Sequence, residues 1–242
     1  MGQYQPKPCR ERSSGPYGSW NRRVRKKIPA DLILPAIALL IGIAPSTASA
    51  VDLAAVFTRY SQVISAESTI SHFGSRLNEG DQVVQAWGLA ARLSLLPFGI
   101  TRFRVLDGAL DGSFEVGLEP TFERLETEGQ NFGGLGLALR YYLLHFRYGN
   151  WVPWVDASIA PGGSDFRIGR VSDRTRLTGP FMDLIQAGVG VSYFMNQHWA
   201  PYFGLQAQHI SNGGFNGGSR NYDLNTAASV VVGVSWFGLI GR

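Results

Sequence analysis

The chain has 242 residues, with 22 Lys/Arg against 18 Asp/Glu, a formal charge of +4 and one cysteine. Residues 1–50 hold eight of those Lys/Arg and two of the Asp/Glu, so the remainder, with 14 basic and 16 acidic residues, carries a formal −2. The basicity therefore gives no support to nucleic-acid binding, and because Cys9 lies in the same leader, residues 51–242 have no disulfide or thiol chemistry.

The leader reads in three parts. "KPCRERSS" and "NRRVRKK" make a basic region, and "LILPAIALLIGIA" at 32–44 is an uncharged, mostly apolar run. "PSTASA" then places Ala48 and Ala50 in a small-x-small pattern. That order is the one a secretory signal needs, with cleavage expected after Ala50. A membrane-spanning anchor is the rival reading, but it needs about 20 apolar residues. The expectation is a signal peptide over 1–50 and one domain over 51–242.

From Val51 onward, alternating segments recur between Gly, Asn, Asp and Pro. They predict strands at 66–75, 83–95, 114–125, 133–144, 151–160, 181–194, 199–211 and 227–237. No segment shows a capped helical period.

The faces of these strands decide the class. In 83–95, Trp87, Leu89, Leu93 and Leu95 share one face, and Gly88, Ala90, Arg92 and Ser94 the other. In 133–144, Leu135, Leu137, Leu139 and Tyr141 oppose Gly134, Gly136, Ala138 and Arg140. A soluble sandwich or a secreted ligand-binding barrel puts its large residues inside. An outward apolar band around small and charged interior residues is the transmembrane barrel pattern. Strands of about 9–11 residues cross when tilted, and closure removes edges that lipid does not tolerate. The predicted fold is all-β: an eight-stranded antiparallel transmembrane β-barrel. Trp151, Trp154, Tyr193, Trp199, Trp236 and Phe237, near strand ends, are expected in the interfacial girdles. A barrel of eight strands is filled by side chains, so Arg92, Arg140, Glu115, Glu119, Glu123 and Asp156 are expected to form a buried ion-pair network.

The segment "QHISNGG" at 208–214 departs from this pattern. In 199–211 the bulky apolar set is odd (Trp199, Phe203, Leu205), and His209 and Ser211 are odd too. A base and a hydroxyl thus lie on the predicted lipid face, where polar groups are functional candidates. Residues two apart on a strand are separated by about 6.6–6.8 Å along the chain, a gap an imidazole closes to reach a Ser hydroxyl, as nucleophilic catalysis requires. The N–H groups of Asn212, Gly213 and Gly214, with or without the Asn212 amide, are candidate oxyanion donors. The plainer reading is a strand running into a surface loop. His72, His145 and His198 are scattered, without metal-ligand spacing, and neither a metal nor a cofactor is expected.

"QHISNGG…NYDLN…VGVSWF" resembles the lipid A 3-O-deacylase (PagL-like) family of outer-membrane esterases. The likeness in strand layout covers about 66–237 and is specific over about 205–237. It implies a barrel that removes an ester-linked acyl chain from lipid A of lipopolysaccharide by a Ser/His/acid mechanism on its outward surface, among outer-membrane lipids. It also implies His209 as base, Ser211 as nucleophile and Asn212 as oxyanion helper. Asn221–Asn225 resembles the family's segment that ends in the acid, with two departures: Asp223 replaces a Gly, and Asn225 stands where a Glu supplies the carboxylate. Either Asn225 or Asp223 then orients His209. In the last strand the outward set is even (Val230, Val232, Val234, Trp236), so Asn225 faces inward unless a bulge falls near 226–228. The other function class is a non-enzymatic structural or adhesive barrel, identical in its strands and different only over 208–225.

Overall fold

The computed structural model describes residues 50–75, 82–102, 110–126, 130–165, 181–211 and 223–238, and the side chains of all of these except 73–75, 82–84 and 223–228. Contacts divide the chain into Met1–Ala48 and Ser49–Arg242, and every described residue belongs to the second unit.

The strands are β1 (Gln62–Ser75), β2 (Gln82–Leu95), β3 (Ile100–Thr101), β4 (Gly112–Leu125), β5 (Gln130–Tyr142), β6 (Trp151–Ser164), β7 (Phe181–Tyr193), β8 (Trp199–Ser211) and β9 (Asp223–Gly238). The sheet order is β2-β1-β9-β8-β7-β6-β5-β4-β3, and β2 also pairs with β4. That last pairing closes the eight long strands into an antiparallel barrel, while two-residue β3 extends the edge of β4. The predicted fold is the observed one. All eight long strands fall where alternation puts them, but β1, β6 and β9 run several residues further. β1 starts at Gln62 and β9 at Asp223, beyond the segments of clean alternation. Ladder hydrogen bonds, not hydrophobic contrast, decide where a strand ends.

The outward faces are apolar: Leu137 is 61% exposed, Leu93 57% and Val189 56%. Lipid covers such a band in a membrane barrel. Inside, five of the six expected charged residues meet in ion pairs, and Glu67 joins them. Arg92 pairs with Glu119 and lies 4.0 Å from Glu115 and 3.8 Å from Asp156. Arg140 donates to Asp156 at 2.8 Å and lies 3.6 Å from Glu67. Its guanidinium sits 4.2 Å from the Trp154 ring centroid and 4.4 Å from that of Tyr202. Glycine is required beside these rings, since a Cβ on Gly190 or Gly204 would run into Trp154. Glu123, the sixth, accepts from Thr69 and Gln208.

Two girdle expectations are corrected. Trp154 and Phe237 are 1% and 2% exposed and lie in the interior. Both sit near strand ends, but on the inward parity of β6 and β9. Phe237 packs with Phe57, Tyr142 and Phe194 at the barrel end that carries the 193–199 turn. Leu53, Val56 and Phe57 of the short helix Leu53–Val56 and its C-cap complete this apolar cluster. Asp52 caps that helix by accepting from the Ala54 N–H, and Val51 N–H donates to Asn150 Oδ1 at 2.9 Å.

Candidate active site

The site lies at the opposite barrel end, where β8 runs out at Ser211. Along β8 the inward Tyr202, Gly204, Gln206, Gln208 and Ile210 are buried, and the outward Phe203, Leu205 and Ala207 are exposed. His209 and Ser211 continue the outward parity and are half-buried. A base and a hydroxyl thus stand two residues apart on the lipid-facing surface, just inside the barrel rim.

Gln208 anchors this stretch from within. Its Nε2 donates to Glu123 Oε1 at 3.2 Å, and its Oε1 accepts from Ser71 Oγ at 2.6 Å. The backbone carrying His209 is therefore held to β1 and β4 by side chains as well as to its neighbours by the ladder.

The flanking strands supply the rest. On β7, Ile185 pairs with His209 and Asp183 with Ser211, in a ladder that continues unbroken from Ser192↔Tyr202. On β9, Asn225 pairs with His209 and Asp223 with Ser211. That second pairing depends on a bulge. Gln206 pairs with Ser229 and Gln208 with Thr226, so three steps on β9 oppose two on β8. The β1 ladder shifts at the same place, between Ile70↔Val230 and Gly74↔Asn225. An extra residue inverts the alternation downstream of it. Positions 223 and 225 therefore fall in line with 230, 232 and 234 in spite of their odd numbers.

His209, Ser211, Asn225 and Asp223 are thus brought to one end of two adjacent strands. Asn212, Gly213, Gly214 and Asn221 lie outside the described residues. His72 is exposed on β1, and His145 stacks edge-on against Phe146. Nδ1 of His198 is 2.8 Å from the Phe237 carbonyl oxygen. Among the described residues, no group of three or more His, Cys, Asp or Glu is placed to hold a metal ion.

Asp183 escaped the sequence reading. The odd face of β7 reads Phe181, Asp183, Ile185, Ala187, Val189, Val191, one carboxylate in an apolar row. A polar group in an apolar outward row is the same signal that marks His209 and Ser211, although only the β7–β8 register sets Asp183 opposite Ser211.

A family model described as lipid A 3-O-deacylase (PagL) matches residues 111–231 of the chain. No curated protein matches it. Among solved structures it is similar to the crystal structure of the outer membrane enzyme PagL, at 14% identity over 69% of this chain and 97% of that one, with a TM-score of 0.48. It is also similar to Neisserial surface protein A, NspA (12% identity, 72% and 96% covered, TM-score 0.45). A third is the N-terminal β-barrel domain of Pseudomonas aeruginosa OprF (15% identity, 74% and 98% covered, TM-score 0.38).

Proposed function

The chain belongs to the lipid A 3-O-deacylase (PagL) family of the outer membrane, and from that membership we propose that it hydrolyses the ester-linked 3-O-acyl chain of lipid A on its outward barrel surface. The observation that carries this reading is the shared outward face of His209 and Ser211 at the rim of β8, beside a bulge that pairs Asn225 with His209.

In the proposed mechanism the Ser211 hydroxyl attacks the ester carbonyl as His209 takes its proton. The carbonyl electrons move to oxygen, forming an oxyanion held by N–H groups of Asn212, Gly213 and Gly214 with the Asn212 amide. One such donor is worth about 10²–10³ in rate. Collapse of this intermediate breaks the ester C–O bond, and His209 passes its proton to the leaving sugar alkoxide. Water, deprotonated by His209, then attacks the acyl-serine and releases the fatty acid. As the acyl–Oγ bond breaks, His209 returns that proton to Ser211.

Asn225 is favoured as the residue that orients His209, since the ladder sets the two opposite each other, whereas Asp223 is opposite Ser211. The orientation of the barrel follows from its connections. Both described chain ends lie at the end away from Ser211, and β6–β7 and β8–β9 are joined at the Ser211 end by 165–180 and 212–222, against one connection of comparable length, 96–111, at the other end. Longer loops are extracellular in outer-membrane barrels, so the site faces the outer leaflet, where lipid A resides. Lumenal Arg92, Arg140 and their carboxylates hold the barrel closed and take no part in the chemistry.

The test is to refold residues 51–242 in detergent with lipid A and follow the products by mass spectrometry. Loss of one acyl chain, absent with Ser211→Ala, supports the reading. Intact lipid A with a folded barrel favours a structural or adhesive protein instead.

A further inference from the structure

We infer that Asp183 is a positioning residue of this site, supplying from β7 the negative charge that Asn225 cannot supply from β9. The inference rests on the esterase reading above. A neutral Asn fixes the imidazole tautomer but does not stabilise the imidazolium that forms when Ser211 gives up its proton. A carboxylate elsewhere on the same face meets that need.

The outward strand faces are nearly free of charge. Among their described side chains the charged ones are Arg124 and Asp183, so Asp183 is the sole carboxylate. Arg124 has a local partner, since it donates to Asn131 Oδ1 at 3.4 Å. Among the described side chains, none is hydrogen-bonded to or ion-paired with the Asp183 carboxylate. A carboxylate at the lipid surface is costly and marks function by default.

Its placement supplies the function. Asp183 is directly opposite Ser211 and diagonal to His209, with Ile185 between it and the rest of the β7 face. Direct pairs in an antiparallel ladder have Cα atoms about 4.5–5.5 Å apart, and diagonal neighbours are about 7–8 Å apart. Asp183 therefore acts through space on the imidazolium, where lipid and substrate exclude water and screening is weak. It neither takes nor gives a proton, which passes from Ser211 to His209 to the leaving alkoxide. Asp223 is the carboxylate on the other strand that flanks Ser211, but it is the first residue of β9 and lies beyond the bulge. Asp183 ends a run of ten consecutive pairs, which fixes its position relative to β8.

The experiment measures kcat and KM for lipid A deacylation by the refolded barrel, with folding read from heat-modifiable migration. Asp183→Asn is expected to lower kcat about 10- to 100-fold with KM unchanged, as loss of one nearby charge implies. Asp183→Glu is expected to keep most of the rate. Asn225→Glu added to Asp183→Asn is expected to restore it, because the charge returns from the other strand. Asp183→Ser replaces Asp183→Asn if the latter does not refold. An unchanged kcat, a change confined to KM, or a loss that Asn225→Glu does not reverse overturns the inference. These results are distinct from failure of the esterase reading, in which the unaltered protein releases no acyl chain or Ser211→Ala releases it equally fast.

Discussion

His209 of β8 and Asn225 of β9 are paired across their ladder because β9 carries one residue more than β8 between Ser229 and Thr226. The extra residue falls in Ala227–Ala228. Deleting Ala228 removes the bulge and leaves Asn225 opposite His209, so the variant is expected to fold and to retain turnover. Inserting an alanine between Asn225 and Thr226 puts the new residue opposite His209 instead. That change is expected to cost about 10²-fold in kcat, the scale of a misplaced catalytic group. Mass-spectrometric turnover of both variants checks the pair, and equal activity in the two excludes a role for the register.

The nucleophile assignment has its own test. Ser211→Ala removes one hydroxyl from a half-buried outward position, and no lumenal group bonds to it among the described residues. The variant is expected to give a heat-modifiable barrel of unaltered stability with no acyl release. Activity surviving in Ser211→Ala removes Ser211 from the mechanism.

The inside-out arrangement of β8 is checked by depth-dependent quenching. Single cysteines carrying a fluorophore at Phe203 and Leu205, 41% and 54% exposed, are expected to be quenched strongly by brominated acyl chains. A label at Gln206, 3% exposed, is expected to respond weakly. The reverse ranking puts His209 in the lumen and ends surface catalysis.

Interior charge governs stability rather than activity. Arg140 lies among Asp156, Glu67, Trp154 and Tyr202, so Arg140→Ala takes the ion pair from Glu67 and leaves Asp156 only the longer one to Arg92, at 3.8 Å. Removing one partner of a buried ion pair costs about 3–5 kcal/mol. A lower urea midpoint with unaltered kcat in the protein that remains folded is the expected result.

Much of this was legible in the sequence, and the reasons differ by residue. The alternation of Leu135, Leu137 and Leu139 against Gly136, Ala138 and Arg140 specifies both a strand and which face meets lipid. His209 and Ser211 show themselves as polar groups on that face. Nearness to a strand end points Trp154 and Phe237 to the girdles, but parity sends both inward. The start of β9 was out of reach for another reason. Alternation breaks at Ala227–Ala228, and small residues give no contrast from which to recover its phase. Asp183 became significant only through the β7–β8 register, a long-range pairing that local pattern does not contain.

The remaining choice, between Asn225 and Asp223 as the residue that orients His209, is settled by substitution at both. The register sets Asn225 opposite His209 and Asp223 opposite Ser211. An imidazole N–H needs an acceptor at hydrogen-bond distance to hold its tautomer, and the directly opposed position is the shorter reach. Asn225→Ala is therefore expected to lower kcat far more than Asp223→Ala. Asn225→Glu should keep or raise activity, since a carboxylate accepts the same bond and adds charge. If Asp223 is the orienter instead, Asp223→Asn alone cuts turnover by about 10⁴-fold, the effect of the corresponding change in a serine-protease triad. Small, equal effects of Asn225→Ala and Asp223→Ala mean that His209 and Ser211 work without an orienting residue on β9, and the charge from β7 then carries more of the rate.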